Sequence, residues 1–227
     1  MKKVVILVLL IAAISILAVA VTAVNRRFAY NLSWLPPPGI KKLHTTFDDA
    51  TSALRDINAR HMLAYGTALG VTRESELLRH DRDVDIAMFY EDIPDWDTLN
   101  WTMAVYGFEC PVTSTPHSWE CQGQRYPALF QYIHRGTGVG CDIVVLYRHD
   151  CCIWDIAGAA GGNGTGYRFS NSEPGRVHFR GHEHSVFPVA WLEEHYGESW
   201  RIPMANSKGR PATKYKNSTT CKFPPPS

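Results

Sequence analysis

Three aspartates at alternate positions, Asp81, Asp83 and Asp85, lead into the apolar run Ile86-Ala87-Met88-Phe89-Tyr90, and this constrains the chain more than any other stretch. Alternate residues of a strand share a face, so Asp83 and Asp85 point one way while Val84 and Ile86 pack the other. Carboxylates crowded on one face repel unless a cation lies among them. A hard, oxygen-seeking Mg2+ or Mn2+ suits such ligands, and these ions commonly hold substrate phosphates. The same spacing opens an EF-hand calcium loop, but that loop needs Gly and Glu where this chain has Ile86 and Asp92.

A second carboxylate-bearing strand is expected at Cys141 to Tyr147, CDIVVLY, bounded upstream by Gly136, Gly138 and Gly140. An apolar run of this kind is buried, and an acid at its rim is not there for packing. Asp142 is the third metal ligand or a base. Upstream, Met62 to Tyr65 reads as a short strand and Thr67 to about Arg73 as a helix. That helix start would set Gly66, Thr67 and free amides against an anion, with phosphate the expected guest. A small-residue turn, D-x-D on one strand and a lone Asp on a later one is the order of parts in the nucleotidyltransferase fold. The expectation is an α/β (α+β) domain, a mixed sheet flanked by helices.

The segment Gly66-Thr67-x-Leu69-Gly70-x-x-Arg73, followed by His80-Asp81-x-Asp83-Val84-Asp85-Ile86, resembles the LicD/fukutin family of phosphotransferases. So does the closing stretch Phe187-Pro188, Trp191 to Gly197 and Trp200-Arg201-Ile202-Pro203. The chain departs from the family at Leu78-Arg79, where Ile-Pro is frequent. The resemblance implies transfer of a phospho-alcohol, such as ribitol, glycerol or choline phosphate, from a CDP-activated donor to a glycan hydroxyl. It implies Mg2+ or Mn2+ on Asp83, Asp85 and Asp142, a proton taken by Asp142 or Asp81, and donor contacts from Gly66, Thr67, Arg73 and His80. A surface ion pair of Arg73 with Glu74 or Glu76 is the plainer reading of that residue. One rival is a D-x-D glycosyltransferase using a nucleotide sugar. Its motif usually ends an apolar strand, whereas this one begins it. Another is an inactive glycan-binding scaffold of the same fold, against which all three strand carboxylates are retained.

Residues 4 to 24 are 21 uncharged, mainly apolar positions, which as a helix would span roughly 30 Å of hydrocarbon. They read as a transmembrane signal anchor behind a cytoplasmic tail of residues 1–3, longer than the apolar part of a cleaved signal peptide. Sequons at Asn31, Asn100, Asn163 and Asn217 lie beyond it and point to a lumenal domain, in the Golgi or endoplasmic reticulum. All six cysteines lie on that side too, so disulfides are expected. The net charge of +1 argues against a nucleic-acid partner.

Residues 25–43, with Leu35-Pro36-Pro37-Pro38-Gly39, read as a stem, 44–206 as the catalytic domain and 207–227 as a basic tail. Thr46 with Asp49 reads as a capping box, and Pro94-Asp95-Trp96 opens another helix. Ala128–His134 with Cys141–Tyr147, and Val177–Phe179 with His184–Phe187 around Gly181, read as hairpins. His182 and His184 are expected on a surface turn, Trp191 and Tyr196 in the core, Pro188 in the first turn of a last helix, and Gly158–Gly166 in a flexible loop.

Overall fold

The computed structural model describes residues 37–110, 117–121, 124–149, 151–157 and 167–203. The apolar run 4–24, the sequons at Asn31, Asn163 and Asn217, the 158–166 loop, the basic tail and Cys221 lie outside them. Among the described residues no helix is long and apolar enough to cross a membrane.

Helix α1 spans Ile40–Asp56 and begins earlier than the stem boundary at 43 implies. Gly39, at φ 87°, supplies the turn that releases the chain from Pro37-Pro38 into the helix. Leu43, Phe47, Ala50 and Leu54 then recur at four-, three- and four-residue spacing and are buried. The expected capping box is therefore corrected: Thr46 lies inside the helix, is buried, and its hydroxyl meets Thr137 Oγ1 at 2.7 Å. Asp49 faces His134 Nε2 at 3.0 Å. Leu43→Ala is expected to cost about 2–4 kcal/mol, seen as a lowered urea midpoint. A residue of an extended stem would leave that midpoint unmoved.

Strand β1, Met62–Leu63, delivers the chain to helix α2, Tyr65–Glu74. Strand β2 runs Asp83–Phe89 as expected, and Asp95 caps helix α3, Trp96–Val105, by accepting from the Thr98 amide at 2.9 Å. Strands β3, Phe108–Glu109, β4, His117–Cys121, β5, Gln124–His134, and β6, Gly140–His149, follow. After them come β7, Cys152–Asp155, β8, Tyr167–Ser170, β9, Gly175–Phe179, β10, His182–Val186, and helix α4, Val189–Tyr196.

The strands form one mixed sheet with the order β3-β5-β6-β2-β1-β10-β9, β4 adding to β5 and β7-β8 to β6. At its centre β2 is parallel to β6 and antiparallel to β1. Along β5, Tyr126, Ala128, Phe130, Tyr132 and His134 are buried while Pro127, Leu129, Gln131 and Ile133 are half-buried, the period-two pattern of a sheet with one open face. The buried face packs on α3, with Trp96 4.2 Å from Phe130, and Tyr132 Oη donating to Asn100 Oδ1 at 2.7 Å. The Asn100 sequon is thus built into a packed helix, with its Thr102 buried.

Both expected hairpins are present. The second turns on Arg180-Gly181, both with positive φ (48° and 82°), as a two-residue primed turn requires. His184 is buried there against the Phe47 ring rather than lying on a surface turn. Pro188 sits at the N-cap position of α4, one residue before the helix. Trp191 and Tyr196 are core residues, Trp191 stacking on Phe169 at 5.1 Å and donating Nε1–H to the Ser170 carbonyl at 2.7 Å. The expectation of disulfides is corrected for two cysteines. Cys141 is a free thiol sealed in β6, because its alternation with Asp142 turns it into the core, and Cys151 is a free, exposed thiol.

Candidate active site

Strand β2 opens at Asp83, and the β2–β6 register pairs Asp85 with Asp142. Neighbouring strands lie about 5 Å apart and paired residues share a face, so these two carboxylates stand side by side with Asp83 one step along. Asp83 faces Gly140, where an added Cβ would come within 3.3 Å of the Asp83 Cβ. Asp81 sits in the preceding turn, its amide donating to the Leu78 carbonyl at 3.0 Å, and its side chain folds back onto Gly66. A Cβ on Gly66 would lie 2.6 Å from Asp81 Oδ2 and 3.2 Å from Asp85 Oδ2. Four acids therefore gather round the first turn of α2.

That first turn already holds a carboxyl group. The Gly66 amide donates to Asp85 Oδ2 at 3.1 Å, and the Asp85 amide donates to Thr67 Oγ1 at 2.8 Å. Of the amides expected to face phosphate, that of Gly66 is bonded to the protein's own Asp85. A helix N-terminus favours any nearby negative charge, and a tethered carboxylate reaches it first. Gly66 and Thr67 thus orient a carboxylate.

Burial, with the Asp83 charge added, raises the Asp81 carboxyl to about 7, against a smaller opposing pull from Arg73. Burial and Asp83 likewise raise Asp142 to about 7, opposed by Gln131. Burial followed by Asp83, Asp142 and Asp81 pushes Asp85 well above the carboxylate range, and burial raises Asp83. Acids so placed ionise together only with a cation among them.

Among the described residues no three His, Cys, Asp or Glu side chains form a ready metal cage. The donor set nevertheless fits Mg2+ or Mn2+. It is all carboxylate, and Mg2+ in phosphate chemistry is typically held by one or two carboxylates plus substrate oxygens and water. The facing Asp85 and Asp142, with Asp83 beside them, meet that requirement.

Arg73 pairs with Glu74, its Nε donating to Glu74 Oε1 at 3.0 Å, while its Nη1 donates to the Trp200 carbonyl at 3.2 Å. Its fork is largely committed, though its charge still reaches Asp81. His80 Nε2 lies 3.8 Å from Asp81 Oδ1, and burial lowers its pKa. Sequence reasoning did not single out Gln131, which pairs with Asp142 across β5–β6 and donates to its oxygens at 3.3 and 3.4 Å. It also missed Tyr65 and Asp155, whose side chains hydrogen-bond to each other. Asp155 carried the signal that betrayed Asp142, an acid in the apolar run Ile153-Trp154-Asp155-Ile156.

The family described as LicD/FKTN/FKRP, nucleotidyltransferase domain, matches residues 58–193, and the chain belongs to that family. The match contains all four aspartates and most of the sheet. The solved structures similar to this chain include these two. One is the lincosamide antibiotic adenylyltransferase LnuA with lincomycin bound, at 15% identity and TM-score 0.41, covering 65% of this chain and 79% of that one. The other is ANT(2″)-Ia in complex with adenylyl-2″-tobramycin, at 11% identity and TM-score 0.38, covering 69% and 76%. No curated protein matches the chain.

Proposed function

We propose that this domain transfers a phospho-alcohol from a CDP-activated donor to a glycan hydroxyl, in the secretory lumen of a cell whose Golgi or endoplasmic reticulum membrane holds the N-terminal anchor. The observation that carries this reading is the Asp85–Asp142 pair across parallel strands, with Asp83 beside it and Asp81 against Gly66, in a chain of this family. Asp83, Asp85 and Asp142 would hold Mg2+ or Mn2+, which when bound neutralises the donor diphosphate and the departing CMP.

The chain's own residues supply the rest. Gly66 and Thr67 aim Asp85, and Gln131 fixes the rotamer of Asp142. Asp81, set against Gly66 and outside the ligand set, is placed to accept the proton of the attacking hydroxyl, with Asp142 as the second candidate. Arg73 and His80 flank Asp81, and Arg73 acts through its positive field because its donors are engaged.

The test is a panel of CDP-alcohols and nucleotide sugars offered to the purified full-length chain with a glycan acceptor. Release of CMP from one CDP-alcohol, dependent on acceptor and divalent cation, is the expected result. Release of a nucleoside diphosphate from a nucleotide sugar, or full turnover in EDTA, would overturn the reading.

A further inference from the structure

Tyr65 is a bulky residue at φ 41°, in the left-handed region that L side chains rarely adopt. It occupies the step between β1 and the Gly66 amide. Its ring packs edge-on against Phe187 and His195, at 5.1 and 4.9 Å, and its hydroxyl donates to Asp155 Oδ2. Asp155 is buried at the end of β7, where it pairs with Leu146 of β6. Residues 142, 144 and 146 alternate on β6, so Asp155 belongs to the same face of the sheet as Asp142. Its other oxygen accepts from the Ala157 amide at 2.7 Å.

Packing alone does not call for this arrangement. A buried acid costs desolvation that an apolar side chain would avoid, and a left-handed tyrosine is a strained way to enter a helix. Both costs are met at one place, directly before the amide that holds Asp85. We propose that Tyr65 and Asp155 are positioning residues for the carboxylate site. The Asp155–Tyr65 bond clamps the left-handed step, and the step aims the Gly66 N–H at Asp85 Oδ2. This rests on the reading of Asp85 as a site carboxylate, but it makes a separate claim about Gly66.

Hydrogen exchange in the full-length, metal-free chain reads that claim in the peptide containing Gly66. Tyr65→Phe keeps the ring and deletes only the hydroxyl. Exchange at Gly66 is expected to accelerate about tenfold, the effect of losing one hydrogen bond, while the β9–β10 hairpin stays protected. Asp155→Asn should act in the same direction, because the Tyr65 hydroxyl and the Ala157 amide each use a different carboxylate oxygen and an amide keeps only one of the two. Tyr106→Phe, which removes a tyrosine–aspartate bond to Asp56 on the surface, serves as control and should leave Gly66 unchanged. Mn2+ affinity, followed by electron paramagnetic resonance, should weaken in the first two variants and not in the control. Unchanged Gly66 exchange in both folded variants overturns the proposal. Failure of the unmodified chain to bind Mn2+ would instead overturn the function proposed above, leaving the exchange result to decide this inference.

Discussion

Asp85→Asn is expected to remove divalent-dependent transfer, by at least about two orders of magnitude, and at the same time to make the metal-free protein more stable above pH 7. The two effects have one cause. Asp85 stands between Asp83, Asp142 and Asp81 in a buried place, and each raises its pKa. For an acid whose pKa is raised on folding, the native state binds the extra proton between the unfolded and folded values. Stability therefore falls as pH rises through that window, and the penalty is complete above the folded pKa. Asp142, moved from 3.8 to about 7, carries roughly 1–3 kcal/mol of it once screening is allowed for. Thermal unfolding of the metal-free chain should thus show a midpoint that declines from pH 5 to pH 8, more steeply than in Asp85→Asn or Asp142→Asn. Saturating Mg2+ or Mn2+ should recover the loss in the parent chain alone. A pH-independent difference between parent and variant would show that the four acids do not share a field.

Gly66→Ala is expected to lower turnover by roughly two orders of magnitude, although alanine improves helix propensity by up to about 1 kcal/mol. Gly66 is helical, so its glycine is not there for backbone freedom. The constraint is space: a methyl group would meet Asp81 Oδ2 at 2.6 Å and Asp85 Oδ2 at 3.2 Å. The Asp81 side chain can swing aside, at the cost of its place beside Asp85. Asp85 is held by the Gly66 amide itself and has less room to move. The expected result is a folded, equally stable chain with weak Mn2+ binding and a low kcat. Retained activity would mean that Asp81 plays no part in the site.

What could be read from the residues alone divides along physical lines. Strand β2 was legible to its end residues because the acids mark its rim and the apolar run marks its length. The two hairpins were legible through Gly136–Gly140 and Gly181, where turn chemistry is local. Strands β4 and β8 carry too few apolar residues in register to stand out, and β7 is only four residues long; they exist because neighbouring strands offer edges. The start of α1 was hidden because Ile40-Lys41-Lys42-Leu43 follows three prolines and reads as a continuation of the stem. The acids of the site were visible as a local pattern. Gln131 and the Tyr65–Asp155 pair were not, because their partners lie 11 and 90 residues away and topology alone brings them together.

The β2–β6 pairing has a consequence for how the chain finds its fold. Side chains alternate across a strand, so sliding either strand by one residue would turn Asp83, Asp85 or Asp142 into the core and push Val84, Ile86 or Cys141 into water. Parallel strands with long apolar runs are otherwise tolerant of such slippage. The acids forbid it, since a misaligned pairing buries a charge with nothing to receive it. Chemistry and alignment are thus written in the same residues. A chain that traded all three acids for leucine would lose more than a reaction: it would lose the signal by which its two central strands tell the right partner position from the next one along.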